Sequence, residues 1–271
     1  MKKILTLILA VMLTVIAVPN SISFASANTV ANEEIRFTTP QVMQSRSSEV
    51  VYYTSKVVLE ENNTVNNCPC YYTSYPNACG AVAGANIVGF YDKYYEDLIP
   101  DYKTYLSNGN YKPTGSTAIP ALIGELYTLM RTNVDDVGCT QSEFLNGLSQ
   151  YVSSKGRSVN YTSAFSNGNI NYNTVKSAIN NNKLLAIFCL PTELTSIVNG
   201  SNSDTLNSTS ISTAHIMIVY GYVKIQYTLT NGSVRTDTYL KVTSGISAPS
   251  TAYYRINSCE DVVNLTQVTI S

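Results

Sequence analysis

The chain has 271 residues, 17 Lys and Arg against 18 Asp and Glu, and a formal net charge of -1. That balance, with no long basic run, excludes a protein that binds nucleic acid by neutralising phosphates. Charged residues make up only 13% of the chain, so its polar surface must rely on uncharged Asn, Ser, Thr and Tyr.

Met1 to Ala27 reads as a secretory signal. Lys2 and Lys3 precede the apolar run Ile4 to Val18, and Ala25-Ser26-Ala27 offers a small-residue cleavage site. Pro19 and the Ser/Ala run behind it argue against a permanent anchor, and no second apolar run is long enough to span a bilayer. A secreted, extracellular or cell-surface associated protein with no stable membrane anchor after signal removal is therefore expected. Residues 28–67 form a polar leader or short pro-segment, or an extra edge of the domain. Within them Val50 to Tyr53 and Lys56 to Leu59 are strand candidates. Residues 68–271 are long enough for one sizeable core.

The domain opens on Tyr75-Pro76-Asn77-Ala78-Cys79-Gly80, followed by small and apolar residues on every side up to the charges Asp92, Lys93, Glu96 and Asp97. This pattern predicts a helix from Cys79 to Tyr95, buried all round, with Asn77 as N-cap. Leu98 to Thr117 reads as a Tyr/Asn/Gly/Pro-rich loop long enough to wall a cleft. Pro120 starts a second helix over Ala121 to Thr132. Thr140-Gln141-Ser142-Glu143 is a capping box, and Phe144, Leu148, Tyr151 and Val152 follow at helical spacing, with Lys155-Gly156 as the stop. Arg157 to Thr162 reads as a strand and Asn173 to Asn181 as a short helix.

The period then changes. Leu184 to Leu190 is a buried strand stopped by Pro191, and His215 to Tyr222 is a second. Lys224 to Leu229 and Val234 to Val242 flank the turn Asn231-Gly232. Ala252 to Ile256 and Val262 to Ile270 complete the strand candidates. An α+β fold is expected, with a helical front half packed on an antiparallel β-sheet back half.

Six cysteines and one histidine carry the chemistry. Cys68-Pro69-Cys70 is too short for the usual C-x2-C knuckle, and with a single imidazole no metal or other cofactor is expected. An oxidising exterior allows disulfides, with no pairing favoured. Cys189 lies inside an apolar run and reads as a core thiol. Cys79, at the positive end of the central helix, is placed where a thiolate is favoured. His215 opens the most apolar strand of the other half. A cysteine hydrolase needs such a pair and oxyanion donors, of which the Cys79 N–H is one.

The segment Pro76 to Gly80, continued by Ala83 to Tyr91, resembles the nucleophile region of papain-like cysteine peptidases of the bacteriocin-processing (double-glycine peptidase) type. His215 to Tyr222, closing on Gly221-Tyr222, is similar to their histidine strand. Gly138-Cys139-Thr140 with Phe144 to Leu148 and Tyr151 is similar to a segment found between the two in secreted relatives. The resemblance covers about Cys68 to Ile256. It implies a papain-like fold, Cys79 as nucleophile and His215 as general base. It also implies an Asn or Asp after the histidine strand, where Thr243 and Ser244 stand, and a Gln before the cysteine, where Thr73 stands. The implied activity is hydrolysis of peptide bonds in a peptide or protein substrate through a Cys79 thioester. With the Gln and Asn replaced, a catalytically weak or inactive peptidase-like domain that binds extracellular peptide or glycan is the competing expectation.

Overall fold

The computed structural model describes residues 35–40, 44–62, 65, 68–103, 105–109, 112, 117–246, 252–256 and 259–271. The expected signal, Met1 to Ala27, lies outside the described residues. Among the described residues the architecture is α+β: four helices and a large antiparallel sheet. Helices α1 (Cys79–Asp92), α2 (Ala118–Leu129) and α3 (Gln141–Ser154) come early, and α4 (Tyr172–Asn180) falls among the strands.

Eleven strands are present among the described residues: β1 (Gln44–Asn62), β2 (Val159–Ser163), β3 (Phe165–Ser166), β4 (Asn169–Ile170), β5 (Leu184–Cys189), β6 (Thr192–Asn199), β7 (Ser203–Ile211), β8 (His215–Leu229), β9 (Val234–Thr243), β10 (Ala252–Arg255) and β11 (Val262–Ile270). Nine of them make one sheet in the order β1-β7-β6-β10-β9-β8-β5-β11-β2. β1 pairs with β7 along its first half and with β8 along its second. The pairings β1-β7-β6-β10-β9-β8 therefore close on themselves, which removes edges from that part of the sheet. The front half is thus not purely helical, because the 19-residue β1 is built into the sheet ahead of α1.

Every residue of α1 is buried. Its all-round apolar pattern places it between α2 and α3 on one side and the start of β8 on the other. Asn77 is not its N-cap: the residue adopts φ 57° and donates through Nδ2 to Asn133, while Ala78 precedes the helix with no side-chain cap. The helix also stops at Asp92 rather than Tyr95. Asp92 is buried and accepts from the Ile99 N–H, which turns the chain away. Proline sits two residues into α2, which begins at Ala118. The capping box of α3 is present in full: Thr140 Oγ1 accepts from Glu143 N, and Glu143 Oε2 accepts from Thr140 N.

Two apolar cores result. The larger lies between the helices and β5, β8 and β11. The smaller fills the closed ring with Val51, Tyr53, Leu206, Val223, Ile225, Tyr227 and Tyr239. The ring also buries two carboxylates. Asp204 accepts from Tyr227 Oη (2.8 Å), Tyr53 Oη (3.2 Å) and Lys56. Asp237 accepts from Arg235 Nε (2.9 Å), Tyr239 Oη (3.1 Å) and Arg255. Burial alone would raise the Asp237 pKa, but the two guanidinium groups hold it below the ordinary carboxylate value. Stability from Asp237 is then present above the unfolded pKa near 3.8 and lost as pH falls through the lower folded value. Asp237→Asn, which leaves two half-buried cations short of a counter-charge, is expected to cost about 2–3 kcal/mol. A urea midpoint unchanged from wild type at neutral pH would contradict this.

Candidate active site

The first turn of α1 and the first residue of β8 bring Cys79 and His215 together in the larger core. Cys79 is 1% exposed and His215 is fully buried. The thiol lies at the backbone N–H groups of Ile216, Gly80 and Cys79 itself, so the link between the two elements runs from the sulfur to the residue after the histidine. Burial pushes the Cys79 pKa up to about 12, and the three N–H groups oppose that without overcoming it. Gly80 is required beside it: a Cβ there would lie 2.5 Å from Cys139 Sγ, which packs on the helix start. All six cysteines are free thiols.

Both ring nitrogens of His215 face main-chain carbonyls. Nε2 is 2.7 Å from Ser244 O, and Nδ1 is 2.9 Å from Thr38 O. Among the described residues no hydrogen bond joins the ring to the Cys79 sulfur. A neutral imidazole carries one N–H and can satisfy one of the two carbonyls, whereas the imidazolium satisfies both. Burial nevertheless lowers the His215 pKa, against the pull of the Thr38 and Ser244 carbonyls.

The expected partners divide. Ser244 is at the site, but through its carbonyl; its hydroxyl oxygen accepts from Ile246 N instead. Thr243 Oγ1 is buried and has no hydrogen-bond partner among the described residues. Thr73 Oγ1 accepts from Tyr75 N in a local turn and, among the described residues, bonds to neither Cys79 nor His215. Gly245, at φ 70°, closes the loop onto α1, where a Cβ would lie 2.9 Å from Val82 Cγ1.

One participant escaped sequence reasoning altogether. Residues 35–40 run along Cys139 and the chain that leads into β8, and reach His215. Phe37 N donates to Cys139 O (2.8 Å), Cys139 N donates to Phe37 O (3.2 Å), and Thr38 N donates to Ala214 O (2.8 Å). Phe37 is fully buried and packs edge-on against Phe188, with ring centroids 5.4 Å apart. Arg36 donates from Nε to Val137 O (3.1 Å) and from Nη2 to Gly138 O (3.0 Å), and pairs with Glu143 at 3.3 Å. The only sequence signal for this is the apolar pair Ile35 and Phe37, two residues apart in a polar segment.

Among the described residues, no group of three or more His, Cys, Asp or Glu is placed to hold a metal. Among the described residues, no helix is long and apolar enough to cross a membrane. A hollow of about 580 Å³ opens elsewhere, lined by Pro191, Glu193, Tyr254 and Asp261 among others; neither Cys79 nor His215 lines it. No family model, curated protein or solved structure matches the chain.

His215 is the only histidine, so the pH range around its ordinary value of 6.5 reports on it. Its folded pKa is lower than its unfolded one. The unfolded chain therefore takes up a proton first as pH falls, and stability present above pH 6.5 is lost below it. Below pH 6.5 stability should fall as pH falls, by no more than about 1.4 kcal/mol per pH unit. His215→Gln should flatten that segment of a stability–pH curve; an equal slope in the variant would contradict the assignment.

Proposed function

We propose that this chain is a secreted cysteine peptidase of papain-like type, with Cys79 as nucleophile and His215 as the group that takes and returns the proton. The observation that carries this reading is the Ser244 carbonyl at His215 Nε2. It supplies, from the main chain, the acceptor that the resemblance expects from an Asn or Asp side chain. An acceptor there holds the proton on Nε2 and leaves Nδ1 as the basic nitrogen. Nδ1 is on the side of the ring where a peptide carbonyl already lies.

In this reading the thiol proton passes to Nδ1, and the sulfur attacks the substrate carbonyl. The N–H groups of Cys79 and Gly80, at the positive end of α1, face the sulfur and are the donors available to the oxyanion. His215 then protonates the departing amine, leaving a thioester. Water attacks that thioester, with His215 accepting the water's proton, and the acid product leaves with the thiol restored. The Gln expected before the cysteine has no substitute in Thr73. A missing oxyanion donor corresponds to about 3–4 kcal/mol of transition-state stabilisation in a comparable hydrolase, so turnover should be slow.

A second reading, a peptide-binding module without turnover, is favoured by the protonated, buried state of Cys79 and by the imidazole facing Thr38 rather than the sulfur. Incubation of the full chain with a diverse peptide library, read by mass spectrometry, separates the two. The peptidase reading expects cleavage that Cys79→Ala and His215→Ala each reduce by about a thousandfold or more while the fold is retained. Peptide capture without any cleavage, equal in wild type and Cys79→Ala, would replace it with the binding module.

A further inference from the structure

Four features of residues 35–40 are those of a bound peptide rather than of a loop. Phe37 exchanges both of its main-chain hydrogen bonds with Cys139, as a strand residue does with its partner. The next N–H, of Thr38, is taken by the carbonyl immediately before His215. The next carbonyl, of Thr38, is taken by the imidazole, with Thr213 Oγ1 at 3.4 Å. The Phe37 ring is buried completely, and the Arg36 guanidinium meets two carbonyls and a carboxylate. Main-chain bonds with pockets for alternate side chains are how proteins take an extended peptide.

Gly138 shows how closely the segment is received. The residue has φ 79°, and a Cβ on it would lie 2.1 Å from Phe37 O and 2.8 Å from Thr38 Cγ2. The cleft floor is therefore a glycine on which another backbone lies in contact.

We propose that Ile35–Thr39 is an intramolecular ligand of the Cys79–His215 site, and that the cleft it fills takes extended peptides carrying Arg followed by an aromatic residue ahead of the residue held at His215. This deepens the function proposed above and rests on that reading only for the claim that a bound peptide is cut. The bound segment also withholds the site. It seals Cys79 and His215 from water, and its Thr38 carbonyl occupies the nitrogen that would take the thiol proton. That carbonyl is held by the imidazole, not by the Cys79 and Gly80 amides, so the segment is retained as an inhibitor. β1, which follows, is locked into the sheet; the device is therefore the short stretch ahead of β1, not the whole of residues 28–67.

The test uses the full chain and reads iodoacetamide labelling of Cys79 by peptide mass spectrometry. Gly138→Ala drives a methyl group into the segment, Phe37→Ala empties its pocket, and Arg36→Ala removes only the half-buried guanidinium. The first two should label at least about tenfold faster at Cys79 than wild type, and Arg36→Ala about threefold faster. Acetyl-Ile-Arg-Phe-Thr-Thr-amide at millimolar concentration should restore protection in Gly138→Ala and Phe37→Ala; a scrambled peptide should not. Unchanged Cys79 labelling in all three variants would overturn the proposal. So would parallel labelling of the core thiols Cys139 and Cys189 with no effect of the peptide, the result of a merely structural Phe37. Labelling does not depend on turnover. A chain that shows peptide protection yet hydrolyses nothing refutes the peptidase reading alone, and one that cleaves peptides without showing this protection refutes the inhibitor alone.

Discussion

The imidazole of His215, buried between the carbonyls of Thr38 and Ser244, is the contact on which the arrangement of the site depends. It joins three stretches far apart in sequence: the segment ahead of β1, the start of β8 and the loop after β9. One neutral ring cannot donate to both carbonyls. One carbonyl of the closed site therefore faces an unprotonated ring nitrogen, and burial opposes the ring's gaining a second proton. Two buried acceptors that face each other with no proton between them are a high-energy feature. Released, the segment ahead of β1 would remove one of the two carbonyls and admit water to the other face of the ring.

The state of Cys79 follows from the same closure. Placement at a helix N-terminus favours the thiolate, and three backbone N–H groups converge on the sulfur. Burial still wins, because a thiolate sealed from water loses more solvation than those dipoles return. The closed molecule therefore keeps a neutral thiol beside a neutral ring. In the proposed peptidase an ion pair between them would need an opening, which would place access to the cleft and the chemistry of the pair under one control.

Sequence patterning foretold these elements unevenly, and the reasons are physical. The capping box at Thr140, the apolar runs of β5 and β8, and the placement of Cys79 at a helix start were legible because local side chains carry the signal. β6 and β7 were not foreseen. Their Ser, Thr and Asn residues alternate weakly; β7 is held by β1, a partner more than 140 residues away, and β6 is held by β7. Asn77 was misread as a cap because an Asn before a helix is equally suited to positive φ. Ser244 was singled out for its hydroxyl and acts through its carbonyl, a role every residue type possesses and no sequence can advertise. Phe37 lay outside any periodic pattern, so nothing local announced that its backbone would be gripped.

The closure makes a claim about two amides in particular, those of Phe37 and Thr38. Native-state hydrogen exchange of the full chain, followed at single-residue level, tests it most directly. If the segment is held as described, both amides should be protected by about a thousandfold or more relative to the unstructured chain, in step with the Cys139 amide that pairs with Phe37. Exchange of Phe37 and Thr38 at the rate of an open chain, with Cys139 still protected, would mean that the segment does not occupy the cleft, and the account of a self-closed site would fail.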